Sequence, residues 1–303
     1  MSSAKPALSG VKVATAQYPV SEPTSWEAFE AGLSRWVAEG AAGATQLLVF
    51  PEYAAMVLAA LFDTAVRTDL SGQLRAMQEL RENYLDLHRR LARLHGVHIL
   101  AGSFPWHLDD GRFVNRAWLL APDGSSAFQD KQVMTRFERE QWGISRGGPL
   151  RVFDTALGCL GVAICYDAEF PQLVRAQVEA GAELLLVPSC TDAHAGYQRV
   201  LVAARARALE SQCPVVLSPL VGEARWSPAI DVNIGIAGIY GPPDRGFPDD
   251  GVIAQGRDGA PRWVRATLER AATAEARTHG QVLNVRHWPE AQPTALVDRI
   301  RIS

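Results

Sequence analysis

Three reactive side chains each follow a short apolar or extended stretch of the chain. Glu52 ends the run LLVFPE, Lys131 ends FQDK, and Cys165 ends LGVAIC. The end of a strand is a place where a scaffold holds a side chain rigidly and still exposes it to a cleft. A thiol, a carboxylate and an ammonium group that meet there supply a nucleophile, a base and an electrostatic stabiliser. The pattern therefore predicts one covalent-catalytic site.

The segments that would position these residues alternate between strand-like runs and helical patterns. Strands are expected at 11–17, 46–50, 97–103, 115–120, 126–130, 160–165, 183–187 and 215–218. Helices are expected at 24–40, 74–94, 171–180 and 197–212, with a capping box at Thr24 and Glu27 and a stop at Gly96. Residues 235–250 are rich in Gly and Pro and predict a long loop. This alternation indicates an α/β fold with mixed strand direction.

The composition is that of an ordinary globular protein. Of 303 residues, 48% are hydrophobic and 21% charged, and the net charge is −3, so no basic face for nucleic acid is expected. Residues 1–10 lack a long apolar stretch and no apolar run reaches the length of a membrane helix, so neither a signal peptide nor a membrane span is expected. The four cysteines form no C-x-x-C pair, which favours a reduced, cytoplasmic protein without a metal or another cofactor. One domain over 1–303 is expected, with a core at about 10–270 and a C-terminal extension at about 271–303.

Several short motifs occur in a specific order and spacing. They are VATAQ at 13–17, FPE at 50–52, the lysine after a hairpin, GVAICYD at 161–167, GAELLLVPS at 181–189 and RARALE at 205–210. Through them the chain resembles the nitrilase superfamily of carbon–nitrogen hydrolases over roughly residues 10–270. The resemblance implies an α/β four-layer α-β-β-α sandwich whose halves meet across a dimer interface. It therefore also implies a homodimer or a higher homo-oligomer.

The chemistry of amide hydrolysis assigns a role to each residue of the triad. Cys165 would attack the carbonyl carbon, because a thiol with a nearby base is a competent nucleophile. Glu52 would take the thiol proton and pass it to the leaving amine. Lys131, together with the backbone N–H of Tyr166, would stabilise the negative charge on the tetrahedral oxygen. The resulting thioester would then be hydrolysed by a water that Glu52 activates.

A second glutamate behind the lysine is common in the superfamily. Glu138 and Glu140 are the two candidates, and we favour Glu140 because the following Gln141, Trp142 and Gly147 match the family pattern better. Its expected role is to orient Lys131 and the substrate.

Residues that flank the catalytic strands are candidates for contact with a small-molecule substrate. They are Tyr53, Trp142, Phe170, Thr191, Asp192 and His194. The acidic side chains of Asp192 and Glu169 favour a neutral or cationic substrate over an anionic one.

The residues after the cysteine bear on the type of reaction. Tyr166 and Asp167 stand where true nitrilases usually have Trp-Glu, so the sequence resembles the amidase and carbamoylase branches. Our first expectation is an amidase that converts a small carboxamide to a carboxylate and ammonia. An N-carbamoyl amine or amino acid hydrolase, a nitrilase and a catalytically silent binding homologue remain alternatives. Residues 235–256 and the tail after 270 depart from the family pattern, and either segment could reshape the mouth of the pocket or the oligomer interface.

Overall fold

A computed structural model describes residues 10–291 and 299–301 of the chain. Its described part contains fourteen strands: β1 (Gly10–Pro19), β2 (Leu47–Val49), β3 (His98–His107), β4 (Phe113–Leu120), β5 (Ser126–Asp130), β6 (Ile144–Ser145), β7 (Val152–Thr155), β8 (Gly158–Val162), β9 (Leu184–Ser189), β10 (Val215–Glu223), β11 (Val232–Asn233), β12 (Gly238–Tyr240), β13 (Val252–Gln255) and β14 (Arg262–Glu269). The same residues form eight α-helices: α1 (Trp26–Gly40), α2 (Thr64–Arg67), α3 (Leu70–Met77), α4 (Arg81–His95), α5 (Pro171–Glu179), α6 (His194–Ser211), α7 (Arg270–His279) and α8 (Asn284–His287). None of these helices is long and apolar enough to cross a membrane.

The strands form a sheet that divides into two halves. The main path runs β5-β4-β3-β2-β1-β10-β9-β8-β7, with parallel pairing from β3 to β8 and antiparallel pairing at both ends. β1 and β10 pair over two residues only, at Tyr18 with Leu220 and at Pro19 with Val221. Successive side chains along β1 point to opposite faces of the half of the sheet that contains this strand. The sheet can therefore fold back on itself at this short junction.

Two apolar clusters define the layers. The first contains Val13 of β1 together with Val216 of β10, so the two halves pack against each other through their inner faces. The second contains Ala14 of β1 together with residues of α1 and α4, which cover the outer face of the first half. Helices α5 and α6 pack on the second half. This arrangement confirms the expected four-layer α-β-β-α sandwich, and one chain supplies all four layers. The expectation that the halves meet across a dimer interface is wrong.

The helix boundaries differ from the sequence prediction in two places. Ser25, not Thr24, caps α1, because its side-chain oxygen accepts the N–H of Ala28. The long helix expected at 74–94 is broken at residues 78–80, where the Gln78 side chain donates to the carbonyl oxygens of Leu74 and Pro105. The predicted stop is confirmed, since Gly96 has the left-handed conformation that favours glycine after a helix.

Two other segments contain different secondary structure from that expected. The loop predicted at 235–250 includes β12, which pairs with β10 and β13. The strand predicted at 160–165 ends at Val162, so Cys165 lies beyond the strand and not at its last position. In the C-terminal extension, the described residues form α7 and α8.

Candidate active site

Glu52 is held by the chain segment that follows β2. Gly102 of β3 has φ +74°, and a Cβ there would lie 2.2 Å from the carbonyl oxygen of Pro51. This close approach needs a glycine. On the other side of Glu52, the left-handed residue Tyr53 donates its N–H to the Ser103 side chain over 2.8 Å. Together these contacts fix the backbone around Glu52, whose side chain is almost fully buried.

Lys131 lies between two carboxylates at the end of β5. Its backbone N–H donates to the carbonyl oxygen of Asn115 on β4. Its Nζ lies 2.8 Å from Oε1 of Glu52 and 2.6 Å from Oε2 of Glu138. The lysine side chain is only 1% exposed. A buried ammonium is tolerated when it is paired and hydrogen-bonded, and both conditions hold here.

Cys165 begins the short 3₁₀ turn that runs to Glu169. Its backbone has φ +50°, a left-handed conformation that costs a residue with a side chain roughly 1–3 kcal/mol and that occurs preferentially at functional sites. The turn is joined to the lysine segment by Asp167, whose carboxylate accepts the backbone N–H groups of Gln132 and Val133. Asp167, two residues after the cysteine, thus fixes the backbone that follows Lys131.

The glutamate behind the lysine is Glu138, and the expectation of Glu140 is wrong. Glu138 is buried and contacts Lys131 directly, whereas Glu140 is exposed and pairs with Arg136 over 2.8 Å. Thr135 donates both its backbone N–H and its hydroxyl to Oε2 of Glu138. Glu138 in turn donates its backbone N–H to the hydroxyl oxygen of Thr135. This is a capping box, and the sequence signature T-x-x-E at 135–138 was a signal for it.

The buried charges move the pKa values of the two glutamates in opposite directions. Burial raises the pKa of Glu52 above its ordinary value, although Lys131 opposes this shift. Burial alone would raise the pKa of Glu138 too, but Lys131 and the hydrogen bonds from Tyr53 and Thr135 hold it below its usual range. Neighbouring carboxyl groups with separated pKa values are the arrangement expected for one proton carrier and one permanent anion.

The thiol and the ammonium are both in their ordinary charge states in this arrangement. Burial, and then the negative charge of Glu52, raise the pKa of Cys165 well above its usual value, so the resting thiol is neutral. Burial alone would lower the pKa of Lys131, but Glu138 and Glu52 keep it well above its usual value.

Two residues of the site gave no signal that singled them out in the sequence. Asn115 donates its side-chain amide to Oε1 of Glu52 over 2.8 Å and to Oε1 of Glu138 over 3.3 Å, and so bridges the two carboxylates. Cys190 donates its backbone N–H to Oε2 of Glu52 over 3.0 Å. Its carbonyl oxygen lies 3.8 Å from Sγ of Cys165.

Glu52, Lys131 and Cys165 open into a cleft of about 450 Å³. Of the predicted pocket residues, Tyr53, Trp142, Tyr166, Thr191 and Asp192 line this cleft. The ring of Tyr53 packs against Trp142 with their centroids 4.6 Å apart, and its hydroxyl donates to Oε1 of Glu138 over 2.7 Å.

Two predicted pocket residues lie elsewhere. Phe170 immediately precedes α5, packs edge-on against the ring of Tyr166 and does not line the cleft that contains Cys165. His194 begins α6 and faces a different cavity, which Tyr197 and Ile236 also line.

The mouth of the cleft carries charges of both signs. Arg136 pairs with Glu140, and Arg199 pairs with Glu169 over 3.4 Å. The lining also includes two acids, Asp192 and Asp231, for which the described residues provide no ion-pair partner within 4.0 Å. No three His, Cys, Asp or Glu side chains in the described ranges cluster as metal ligands would. Taken together, the site can supply a nucleophile, a proton carrier and a cation to a small substrate.

Comparisons with known proteins show the same fold and related sequences. The chain is 30% identical to "Probable hydrolase YhcX" of Bacillus subtilis over 281 residues, which cover 91% of this chain and 53% of that protein. It is 30% identical to "Deaminated glutathione amidase" of Synechocystis over 167 residues, which cover 51% of this chain and 60% of that protein. The chain thus spans just over half the length of these relatives.

One solved structure of similar fold is an amidase from Nesterenkonia sp. AN1. It has a TM-score of 0.64 at 22% identity and covers 91% of this chain and 97% of that one. In that amidase variant the acetamide moiety of fluoroacetamide is covalently added at the active-site cysteine. Residues 12–244 of the present chain match the model of the family described as Carbon-nitrogen hydrolase. The chain therefore belongs to the carbon–nitrogen hydrolase family of the nitrilase superfamily.

Proposed function

We propose that the protein is a thiol-dependent amidase that converts a small carboxamide to a carboxylate and ammonia. The observation that carries this proposal is the contact of Lys131 with both Glu52 and Glu138 beside Cys165, at the inner end of one cleft. The amidases among the similar proteins support the same class of reaction. A nucleophile, a proton carrier and a cation are what acyl transfer from an amide requires.

In the first half of the reaction, Sγ of Cys165 forms a bond to the carbonyl carbon of the amide. The thiol proton moves to Glu52, whose raised pKa suits a group that must gain and lose a proton near neutrality. The ammonium of Lys131 and the N–H of Tyr166 stabilise the negative oxygen of the tetrahedral intermediate. The intermediate collapses when the C–N bond breaks and Glu52 returns the proton to nitrogen. Ammonia leaves and a thioester remains on the cysteine.

In the second half, Glu52 takes a proton from a water that attacks the thioester carbon. The C–S bond then breaks, Glu52 passes the proton to sulfur, and the carboxylic acid leaves and loses its own proton to solvent to give the carboxylate product. Glu138 stays ionised in both halves, because its pKa is held low by Lys131 and its hydrogen bonds. Its role is to keep the lysine charged and correctly placed.

The two adjacent glutamates provide a matched pair of variants. Glu138→Gln removes the second counter-charge of Lys131 and is expected to lower kcat/KM by about 10- to 100-fold, the usual cost of losing an orienting partner. Glu140→Gln disturbs only an exposed ion pair and is expected to change kcat/KM by less than about 2-fold. Steady-state kinetics of both variants measure the difference. Equal losses, or a larger loss in Glu140→Gln, would contradict the assignment.

We also propose that the substrate is neutral or cationic. Glu169 is already paired with Arg199, so Asp192 and Asp231 are left to act on the charge of a substrate. An exposed charge pair is worth up to about 1 kcal/mol, so Asp192→Asn is expected to lower kcat/KM for a cationic amide by about 2- to 5-fold relative to a neutral amide of similar size. A series of amides that differ in charge measures this ratio. A clear preference of the wild type for anionic amides would exclude this substrate class.

The assembly and location of the protein are further proposals. Val202 and Leu209 lie one heptad apart on α6 with 64% and 46% of their surfaces exposed, which supports at least a homodimer. A single catalytic domain and a cytoplasmic location rest on the sequence alone.

The direct test of function is ammonia release from a panel of small amides, ureido compounds and nitriles. Turnover of amides supports the proposed reaction. Turnover of ureido compounds with release of carbon dioxide, or turnover of nitriles alone, would place the protein in another branch with the same triad. No turnover on the panel, together with no labelling of Cys165 by a thiol-reactive amide mimic, would favour a binding role.

A further inference from the structure

The backbone of residue 190 contacts both the base and the nucleophile. Its N–H donates to Oε2 of Glu52 over 3.0 Å, and its carbonyl oxygen lies 3.8 Å from Sγ of Cys165. Cys190 is the first residue after β9, so the strand ladder that holds Ser189 does not extend to it. A small rotation of this peptide would move the donor away from Glu52. Something other than the sheet must therefore hold residue 190 in place.

Asn233 of β11 is the side chain that contacts Cys190. The Cys190 thiol donates to Oδ1 of Asn233 over 3.1 Å. The Asn233 amide nitrogen donates in turn to the carbonyl oxygens of Gly222 over 3.2 Å and Ile230 over 2.7 Å. Asn233 is 4% exposed, and each of its side-chain polar atoms has a partner. The asparagine thus joins the end of β10, the loop before β11 and the segment that carries Cys190.

The next residue of each segment, Thr191 and Ile234, forms a second contact beside the one between Cys190 and Asn233. Thr191 donates its hydroxyl to the carbonyl oxygen of Ile234 over 2.6 Å, and its own carbonyl oxygen accepts the N–H of Ile234 over 2.8 Å. The pairs 190–233 and 191–234 fix the orientation of the peptide that reaches Glu52. Of these contacts, only the hydrogen bond between the Cys190 thiol and Oδ1 of Asn233 involves residue 190 itself.

We propose that Asn233 is a positioning residue for catalysis: through the Cys190 thiol it holds the residue 190 backbone against Glu52 and Cys165. Asn233 does not donate to either catalytic side chain, and its effect passes through Cys190. The inference rests on the proposed hydrolase function, since it assigns Glu52 the role of base. It adds Cys190 to the site as a residue whose thiol is a hydrogen-bond donor and not a second nucleophile.

The bond between the Cys190 N–H and Glu52 should affect how kcat/KM depends on pH. The Cys190 N–H bonds to the charged form of Glu52 and so favours that form. Around Glu52 the other polar or charged groups are Lys131, Glu138, Asn115, Tyr53, Asp167 and the Cys165 thiol, and a substitution at 233 or 190 replaces none of them. Loss of the N–H donor alone should therefore raise the pKa of Glu52 and move the acid limb of kcat/KM to higher pH. A purely structural asparagine would lower stability and leave this limb unmoved.

The test compares Asn233→Ala, Cys190→Ala, Cys190→Ser and the double alanine variant. Asn233→Ala and Cys190→Ala are each expected to lower kcat by about 10-fold with a smaller change in KM, because outer partners of catalytic groups cost about 10- to 100-fold. Both should move the acid limb upward. Cys190→Ser should recover most of the loss, since a hydroxyl donates to the same oxygen. The double variant should be no worse than either single variant, because the two residues act through one bond.

Three results would overturn the proposal. They are an acid limb that does not move in Cys190→Ala, a Cys190→Ser variant as impaired as Cys190→Ala, and losses that multiply in the double variant. Cys190→Ala leaves both backbone bonds of Asn233 intact, so the comparison holds even if Asn233→Ala fails to fold. If no amide is turned over by the wild type, the rate of Cys165 alkylation by iodoacetamide across pH replaces kcat/KM. The positioning role predicts the same shift to higher pH for alkylation. Absence of turnover would then contradict only the hydrolase function, and an unshifted alkylation profile would contradict only the positioning role.

Discussion

Replacing Cys165 by alanine is expected to lower amide turnover by at least about 10⁴-fold, because loss of a covalent nucleophile removes the pathway that the other groups serve. The fold should survive the change. Cys165 occupies a strained left-handed backbone position, and alanine removes a single buried sulfur atom there. The measurement is ammonia release at saturating amide, with circular dichroism to confirm that the variant is folded.

The matched control is Cys213→Ala, which also removes a fully buried thiol. Burial raises the pKa of Cys213 to about 11, and this residue lies outside the cleft. We expect Cys213→Ala to keep wild-type turnover while losing some stability. Turnover that persists in Cys165→Ala, or that disappears equally in Cys213→Ala, would exclude the thiol mechanism.

Replacing Lys131 by methionine is expected to lower kcat/KM by about 10²- to 10³-fold, the range seen when a donor to a developing oxyanion is lost. The same change should destabilise the fold. It leaves Glu52 and Glu138 buried close together without the cation between them. Removal of one partner from a buried ion pair typically costs about 3–5 kcal/mol of unfolding free energy. Urea denaturation and steady-state kinetics measure the two effects.

The loss of stability in Lys131→Met should be larger at high pH than at low pH. Without the ammonium, burial and mutual repulsion raise the pKa values of both carboxyl groups above the unfolded value of about 4.3. A group whose folded pKa is raised stabilises the protein below its unfolded pKa and loses that contribution as pH rises through the folded pKa. The variant should therefore be closest to wild type near pH 5 and most destabilised near pH 8.

Two further variants test the cause of this pH dependence. Lys131→Met combined with Glu138→Gln removes one of the two repelling carboxylates and should recover part of the lost stability. Lys12→Met removes an exposed lysine and should change little. A stability difference between wild type and Lys131→Met that is constant from pH 5 to pH 8 would contradict a buried lysine between two glutamates.

The grouping of Glu52, Lys131 and Cys165 at one cleft is predictable because each of the three follows a stretch of regular local pattern. Apolar runs and a turn predict the strand before Glu52 and the hairpin before Lys131. The wrong choice of Glu140 instead of Glu138 is an error of two positions within a single helical turn. Glu138 and Glu140 differ by two positions in a short π-helical turn, so their side chains point in different directions. The capping box with Thr135 and the i,i+4 pair of Glu140 with Arg136 are local signals that distinguish the two.

The remaining site residues were not predictable, because their roles depend on contacts between distant parts of the chain. Asn115 is a buried polar residue within β4, and only the packing of β3 and β5 on either side brings it between the two glutamates. Cys190 and Asn233 are 43 residues apart and meet where β9 ends near β11. The lateral order of the strands sets these contacts, and local periodicity carries no information about that order.

The most direct test of covalent catalysis by Cys165 is intact-mass analysis of wild-type protein quenched during turnover of a small amide, followed by peptide mapping. We expect an added mass equal to the acyl part of the substrate, located on the peptide that contains Cys165 and absent from Cys165→Ala. Turnover with the acyl group on another residue would contradict the central claim, and so would turnover in a Cys165→Ala variant at the wild-type rate.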